Sequence, residues 1–262
     1  KAITNKRNKI QSTQKTQEEY KNQYLSRLKK QKKEYGKAFV QEKAVYKRNI
    51  ENSYNLITIG SLAMEEKQYE DAKAIFTFVF EISNDIGFKL KMQHLVTSME
   101  IESATPKEYP AIDLKLQELL KTHGINQESL DLQILYAHFK TFYLNQSKIG
   151  LDILNETLKL PLNIRNESRV KMELADIMLY DEKFNQAILY YAQVEENLKN
   201  DVLAHEASLK LAKANFYKKD FDWTLQQVKN LKQSSSLLIA NDAVELFLLI
   251  QDNSVEDSLR VA

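Results

Sequence analysis

The 262-residue sequence predicts an all-α fold built from antiparallel helical hairpins. Its 5 glycines and 3 prolines are too few for the many turns of a β-rich fold. Lys, Glu, Leu, Ala and Gln, which favour helices, are plentiful. The third observation is a recurring pattern in which a small residue comes three positions after an aromatic one. With 43% hydrophobic residues, the chain can bury a continuous core.

The segment KQYEDAKAIF, residues 67–76, holds the clearest copy of this pattern. Tyr69 and Ala72 are followed there by Phe76. A small residue allows two helix backbones to approach closely, and an aromatic residue four positions later lies on the same helical face. The pattern recurs at intervals of 34 or 37 residues, more loosely in some copies. The other copies are Tyr35 with Ala38, Ser147 with Gly150, Phe184 with Ala187 and Tyr191, Phe221 with Thr224, and Val255 with Ser258.

This arrangement resembles the corner between helix A and helix B of a tetratricopeptide repeat, a family whose unit is about 34 residues long. The resemblance covers residues 14–262 and is strongest at 54–82 and 166–231. It implies a right-handed α-solenoid of about six hairpins, the last one truncated, whose A helices line the concave face. Residues 174–241 also resemble large bacterial tetratricopeptide-repeat proteins that are exported to the cell envelope. That resemblance implies the envelope or periplasm, while the cytoplasm stays open.

The first half of the chain is predicted to hold a basic tail and three hairpins. Residues 1–13 are polar, basic and aperiodic, so we predict a disordered or frayed segment ahead of a single solenoid domain, residues 14–262. Thr105 and Glu108 resemble a capping box, and Gly124 is a C-terminal cap. The predicted helices span residues 14–33, 34–50, 54–64, 69–82, 88–101 and either 106–124 or 110–124.

The second half is predicted to hold three regular hairpins and part of another. The predicted helices span residues 127–144, 147–160, 167–180, 182–198, 204–217, 220–231 and 237–250, with a partner helix starting near Asn253. Because that partner is cut short, we expect the natural chain to continue past Ala262. The start at Lys1, without Met or an apolar signal region, indicates a processed protein or an excised piece. The predicted helix caps are Asn126, Asn166, Asp181 and Ser236.

Charge is distributed unevenly along the chain. Residues 1–50 hold 15 Lys and Arg against 4 Asp and Glu, a net charge of +11, although the whole chain has a net charge of only +1. This basic segment could bind nucleic acid or an anionic surface, or it could contact the acidic body of the same or another chain. Most such lysine-rich helix faces are simply solvated, and no base-reading motif is present, so a nucleic-acid partner is disfavoured.

The sequence shows no grouping typical of an active site. There is no cysteine, and the histidines stand alone without metal-ligand spacing. We found neither a glycine-rich phosphate loop nor a nucleophile elbow. We therefore expect no enzymatic activity, no cofactor and no metal, and no apolar run approaches the roughly 18 residues of a membrane span. The four histidines are His94, His123, His138 and His205.

The resemblance places one recurring tyrosine near the end of successive A helices, at Tyr143, Tyr180 and Tyr217. We predict that these three residues form a ladder in the concave groove, because tyrosine combines apolar area with a polar tip. They could equally pack against the next repeat. The implied function is a non-catalytic scaffold that binds a protein or peptide, with oligomeric state left open. The other groove residues in this register are Phe139, Phe142, Arg169, Met172, Asp176, Lys210 and Lys213.

The carboxylate clamp of some members of this family is absent from the matching positions. Those positions hold Ile57, Ser61, Leu135 and Phe139, none of which is cationic. We therefore do not expect a groove that binds the terminal carboxylate of a peptide.

Overall fold

The computed structural model describes residues 29–30, 33–46, 53–199, 201–232 and 236–260. These residues form twelve α-helices and no strand, which confirms the predicted all-α class. The helices are α1 (Tyr35–Tyr46), α2 (Ser53–Glu65), α3 (Tyr69–Ile82), α4 (Ile86–Ser103), α5 (Tyr109–His123), α6 (Leu130–His138), α7 (Ser147–Thr157), α8 (Ile164–Tyr180), α9 (Phe184–Asn197), α10 (Val202–Tyr217), α11 (Phe221–Leu231) and α12 (Leu237–Arg260).

The chain divides into two compact units, Lys1–Lys115 and Leu116–Ala262. In the first unit α2 packs on α1 and α3, and α3 packs on α4. In the second unit each helix from α6 to α12 packs on the next, and α6, α8, α10 and α12 also contact one another in succession. Consecutive helices joined by short turns and packed in this way are helical hairpins of the solenoid type. The prediction of one domain over residues 14–262 stays a prediction.

The same turn joins the two helices of five hairpins. Its marker is a residue other than glycine with positive φ, two positions before the second helix starts. In four of these turns the amide of the following residue donates to a carbonyl five positions earlier, as from Gln68 N to Ala63 O at 2.8 Å. This bond closes the end of the first helix in a Schellman-type motif. The five residues are Lys33, Lys67, Asn145, Glu182 and Lys219, with φ between 55° and 70°.

The fourth residue of each helix after this turn is small and has no accessible surface or almost none. Two of these helices begin at the predicted residues, 69 and 147, and the other three begin one or two residues later than predicted, at 35, 184 and 221 instead of 34, 182 and 220. A methyl group added to Gly150 would lie 2.8 Å from the carbonyl oxygen of Ala137 on α6. The helix backbones therefore approach too closely there for a larger side chain. The five small residues are Ala38, Ala72, Gly150, Ala187 and Thr224.

The residue one turn further along each of these helices is buried. Phe76 and Tyr191 are among the largest fully buried side chains of the described residues, and they fill the aromatic position of their repeats. Glu42 occupies the matching position in α1 and is also buried, where its carboxylate accepts a hydrogen bond from Asn55 Nδ2 at 2.9 Å. A buried carboxylate requires such a partner, because losing water without compensation is costly.

Several predicted boundaries differ from the structure. α12 continues to Arg260, so the predicted break between Ile250 and Asn253 was wrong; residues 251–260 contain neither glycine nor proline to stop a helix. α8 is capped by Asn163, whose side chain accepts from Asn166 N at 2.9 Å, instead of by Asn166 itself. Asp181 ends α8 and does not cap α9.

Other predicted features agree with the structure or lie outside it. Gly124 ends α5 with φ +75°, the left-handed conformation expected of a C-terminal cap. The segment 1–13 and most of the helix predicted over 14–33 lie outside the described residues. None of the helices described combines the length and hydropathy of a membrane-spanning segment.

We predict that Lys67→Gly raises the free energy of unfolding by about 1 kcal/mol. The lysine is exposed and held at φ 57°, a conformation that costs L-residues about that much and glycine almost nothing. Urea unfolding would measure the change. Lys91→Gly is the matched control, because this exposed lysine lies inside helix α4 and glycine there should lower stability by up to about 1 kcal/mol. Equal losses from both variants would contradict the prediction.

We predict that Gly150→Ala destabilises the protein by about 1–2 kcal/mol, although alanine is normally the better helix former. The reason is the close contact with the backbone of α6, which cannot move aside as a flexible side chain could. Asn155→Ala, at an exposed position of the same helix, should leave the urea midpoint unchanged or raise it slightly. A stabilising effect of Gly150→Ala would show that the two helices are not in tight contact.

Candidate binding cleft

The second unit contains a cleft of about 530 Å³. It lies where the A helices end and the chain turns into the B helices, since its walls come from the segment after α6, the ends of α8 and α10, and the start of α9. Four of its seven lining side chains are aromatic. The lining residues are Phe142, Asp176, Leu179, Tyr180, Glu182, Phe184 and Tyr217.

Two of the predicted tyrosines present their rings to this cleft. Tyr180 is 47% exposed and Tyr217 is 54% exposed. The ring of Tyr180 is held from two sides, because its edge meets Phe142 at a centroid distance of 5.2 Å and its hydroxyl donates to Asn145 Oδ1 at 3.0 Å. Tyr217 contacts Phe216 at 5.7 Å. Exposed aromatic rings in fixed orientations are features of binding surfaces.

The third predicted tyrosine, Tyr143, does not line the cleft. It stacks on Phe139 at 5.4 Å, and Phe142 takes its place beside Tyr180. The cause lies in the backbone, because residues 139–143 form a single π-helical turn in which Leu144 N donates to Phe139 O. Such a turn accommodates one extra residue and so changes which side chain faces the neighbouring repeat. The sequence register assumed an uninterrupted α-helix.

Two of the apolar residues predicted for the groove lie in the core. Phe139 has no exposed surface, and Met172 is 5% exposed and packs with Ala187 and Tyr191. A partner cannot contact either side chain in this structure. Sequence reasoning also missed three lining residues, Leu179, Glu182 and Phe184. Phe184 was recognised only as the aromatic residue that precedes Ala187 in the repeated pattern, although it lies just across the turn from Tyr180.

The three cationic residues predicted for the groove are paired with carboxylates of neighbouring helices. Arg169 on α8 contacts Asp131 on α6 at 2.5 Å, Lys210 on α10 contacts Asp176 on α8 at 2.6 Å, and Lys213 contacts Asp242 on α12 at 2.9 Å. Each bond joins one A helix to the next. Partly exposed ion pairs of this kind contribute about 0–1 kcal/mol each to the free energy of unfolding. Their main effect is therefore to align neighbouring A helices.

The carboxylate of Asp176, which lines the cleft, accepts two hydrogen bonds from neighbouring helices. It accepts from Tyr191 Oη at 2.5 Å and from Lys210 Nζ at 2.6 Å. Burial raises the pKa of the Tyr191 hydroxyl, and the negative charge of Asp176 raises that pKa further. For Lys210, burial acts to lower the pKa, but the attraction of Asp176 and Glu206 outweighs it and the pKa is raised. Both partners of Asp176 therefore keep their protons.

A histidine lies one turn from the cleft without forming a metal site. His138 Nδ1 lies 2.9 Å from a carboxylate oxygen of Glu173, and its ring is tilted by 45° to that of Phe142, with the centroids 4.6 Å apart. Among the described residues, no group of three or more metal-ligating side chains is assembled.

No protein-family model and no curated protein matches the sequence. Solved structures resemble the fold. PlcR of Bacillus thuringiensis, solved in complex with the peptide PapR7 and DNA, is 14% identical over 80% of this chain and 75% of its own, with a TM-score of 0.57. The apo form of the quorum sensor NprR from B. thuringiensis is 14% identical over 92% of this chain and 74% of its own, with a TM-score of 0.59.

A third similar structure is PH0952 of Pyrococcus horikoshii, a signal transduction ATPase with numerous domains that has a tetratricopeptide repeat sensor. It is 16% identical over 84% of this chain, with a TM-score of 0.52, and the match spans 32% of its own length. At these identities the likeness shows the fold alone. Together with the repeated hairpin, it makes the fold tetratricopeptide-repeat-like. The predicted resemblance to exported envelope proteins stays a prediction.

We predict that the wild type loses stability more steeply than Tyr191→Phe as pH rises above 10. In the unfolded chain this tyrosine releases its proton near its ordinary pKa of 10.0, whereas the folded protein retains it. The folded state then binds one more proton, and stability falls by about 1.4 kcal/mol per pH unit from this group.

Urea unfolding between pH 8 and pH 11 would test this. Tyr54→Phe is the control, because Tyr54 is 77% exposed, and it should keep the wild-type slope. If Tyr191→Phe also keeps that slope, burial and the charge of Asp176 do not keep the hydroxyl of Tyr191 protonated.

Proposed function

We propose that this tetratricopeptide-repeat-like chain is a non-catalytic scaffold that binds a protein or peptide segment in the aromatic cleft of its second unit. The observation that carries the proposal is the set of four aromatic side chains around one open cleft, two of them about half exposed. A cleft of about 530 Å³ falls within the roughly 300–1,000 Å³ range of ligand pockets, so it is large enough to take part of a peptide.

The geometry of Tyr180 supports binding over simple packing. Its ring is already oriented by Phe142 and Asn145, so the Tyr180 side chain would lose little conformational entropy when a partner binds. Tyrosine and phenylalanine also bury large areas with few rotatable bonds, which is why such residues dominate binding energies. The charged residues nearby contribute mostly to joining repeats.

The comparisons support the class of partner and no finer detail. PlcR was solved in complex with the peptide PapR7 and DNA, and its TM-score to this chain is 0.57. Repeated helical hairpins present long surfaces suited to extended segments. The expectation that the chain is not an enzyme stays a prediction.

The alternative, a nucleic-acid or anionic-surface binder, would use the basic residues 1–50. Within the described part of that region, three lysines already have partners in the protein. Lys33 pairs with Glu66 at 2.7 Å, Lys37 pairs with Glu34 at 3.1 Å, and Lys43 Nζ lies 4.2 Å from the ring centre of Phe78. These contacts favour the scaffold, and the alternative remains a prediction for the rest of the segment.

We predict that Tyr180→Ala and Tyr217→Ala each weaken peptide binding about 5- to 30-fold, the usual cost of removing an exposed aromatic anchor. Peptides would be selected from a random display library on the wild-type protein, and their affinities measured by isothermal titration calorimetry. Tyr54→Ala, which removes an exposed tyrosine of the first unit, is the matched control and should bind normally. Unchanged affinity in both cleft variants would rule out the cleft as the binding site.

A further inference from the structure

We propose, resting on the function above, that the cleft recognises a peptide segment through an arginine side chain flanked by apolar residues. The lining combines aromatic rings with the two carboxylates Asp176 and Glu182 and includes no cationic side chain. Rings attract cations through the negative charge of their faces, and carboxylates attract them directly. The cleft is therefore complementary to a positive and partly apolar group.

Of the three carboxylates in or beside the cleft, two are already paired with lysines of the protein, which leaves Glu182 to bind a partner. Asp176 is bound by Lys210, and Asp181 next to the cleft is bound by Lys183 at 2.9 Å. The side chain of Glu182 is exposed and forms no hydrogen bond or ion pair with the described residues. Lys218 and Lys219 follow Tyr217 but do not line the cleft. They reduce the negative potential at that end, so the cation is expected nearer Tyr180.

Glu182 stands at a position that is set firmly by the backbone. It is the left-handed residue of the α8–α9 turn, with φ 59°, and the turn is closed by a 2.8 Å bond from Lys183 N to Met178 O. The same turn position holds lysine in three other hairpins and asparagine in the fourth. The one acidic residue at this position is thus the one that lines the cleft.

Arginine fits this arrangement better than lysine does. A guanidinium group is planar, so it can stack on a tyrosine or phenylalanine ring while its N–H groups form paired bonds with a carboxylate. It is also less strongly hydrated than an ammonium group, which lowers the cost of entering an aromatic cleft. The neighbouring residues of the peptide would cover the rings of Phe142 and Tyr217.

The peptides selected on the wild-type protein would be counter-selected against the Tyr180→Ala/Tyr217→Ala variant, whose folding is checked by circular dichroism. We expect the cleft-dependent peptides to be enriched in arginine. Replacing that arginine with citrulline, which has the same shape without the charge, should weaken binding at least 5-fold. Glu182→Gln should weaken binding of the arginine peptide by a similar factor and leave the citrulline peptide unaffected.

Glu196→Gln is the matched control, since Glu196 is an exposed glutamate at the far end of α9 and should change nothing. Cleft-dependent peptides without arginine, or with acidic residues in its place, would overturn the arginine proposal and leave the binding function standing. An equal loss for the arginine and citrulline peptides in Glu182→Gln would also overturn it. Absence of any cleft-dependent peptide would overturn both proposals.

Discussion

The close approach of two helix backbones at the corner of each hairpin is the constraint on which the rest of the structure depends. At this corner a residue with left-handed backbone conformation reverses the chain. Five positions later, a small side chain allows the second helix to pack closely against the first. At Gly150 the space left is smaller than a methyl group. Since packing in protein interiors is dense, the small residue also determines how deeply Phe76 or Tyr191 enters the neighbouring helix.

Polar contacts one repeat apart then align successive hairpins within each unit. Tyr69 bonds to Glu102 in the first unit, and Asp176 bonds to Lys210 in the second. Contacts between surface charges stabilise little, but they are directional and so exclude alternative registers. Asp176 differs from the others because it also holds the buried hydroxyl of Tyr191. It therefore links the core of one repeat to the wall of the cleft.

The cleft follows from the same geometry. Because each A helix ends at the same point relative to its turn, residues just before the turn line up on one edge of the second unit, and aromatic residues there produce a continuous wall. The π-helical turn before α7 is the exception that places Phe142 beside Tyr180. Irregular turns of this type are often found at functional sites, where they change the direction of a side chain. The acidic turn residue Glu182 adds a second carboxylate, besides Asp176, to a wall that is mostly aromatic.

The sequence by itself determined the all-α class, the starts of α3 and α7, and the small residues at the corners. These features depend on preferences encoded within a few neighbouring residues, such as helix propensity and the space beside a small side chain. It also placed Tyr180 and Tyr217 on one edge. Only the tertiary structure decided that Phe139 is buried, that Tyr143 gives way to Phe142, and that Lys210 is bound by Asp176. The exposure of a side chain and the pairing of a charge depend on residues a whole repeat away in the sequence. In addition, a single residue inserted in one helical turn changes the direction of the side chains beside it.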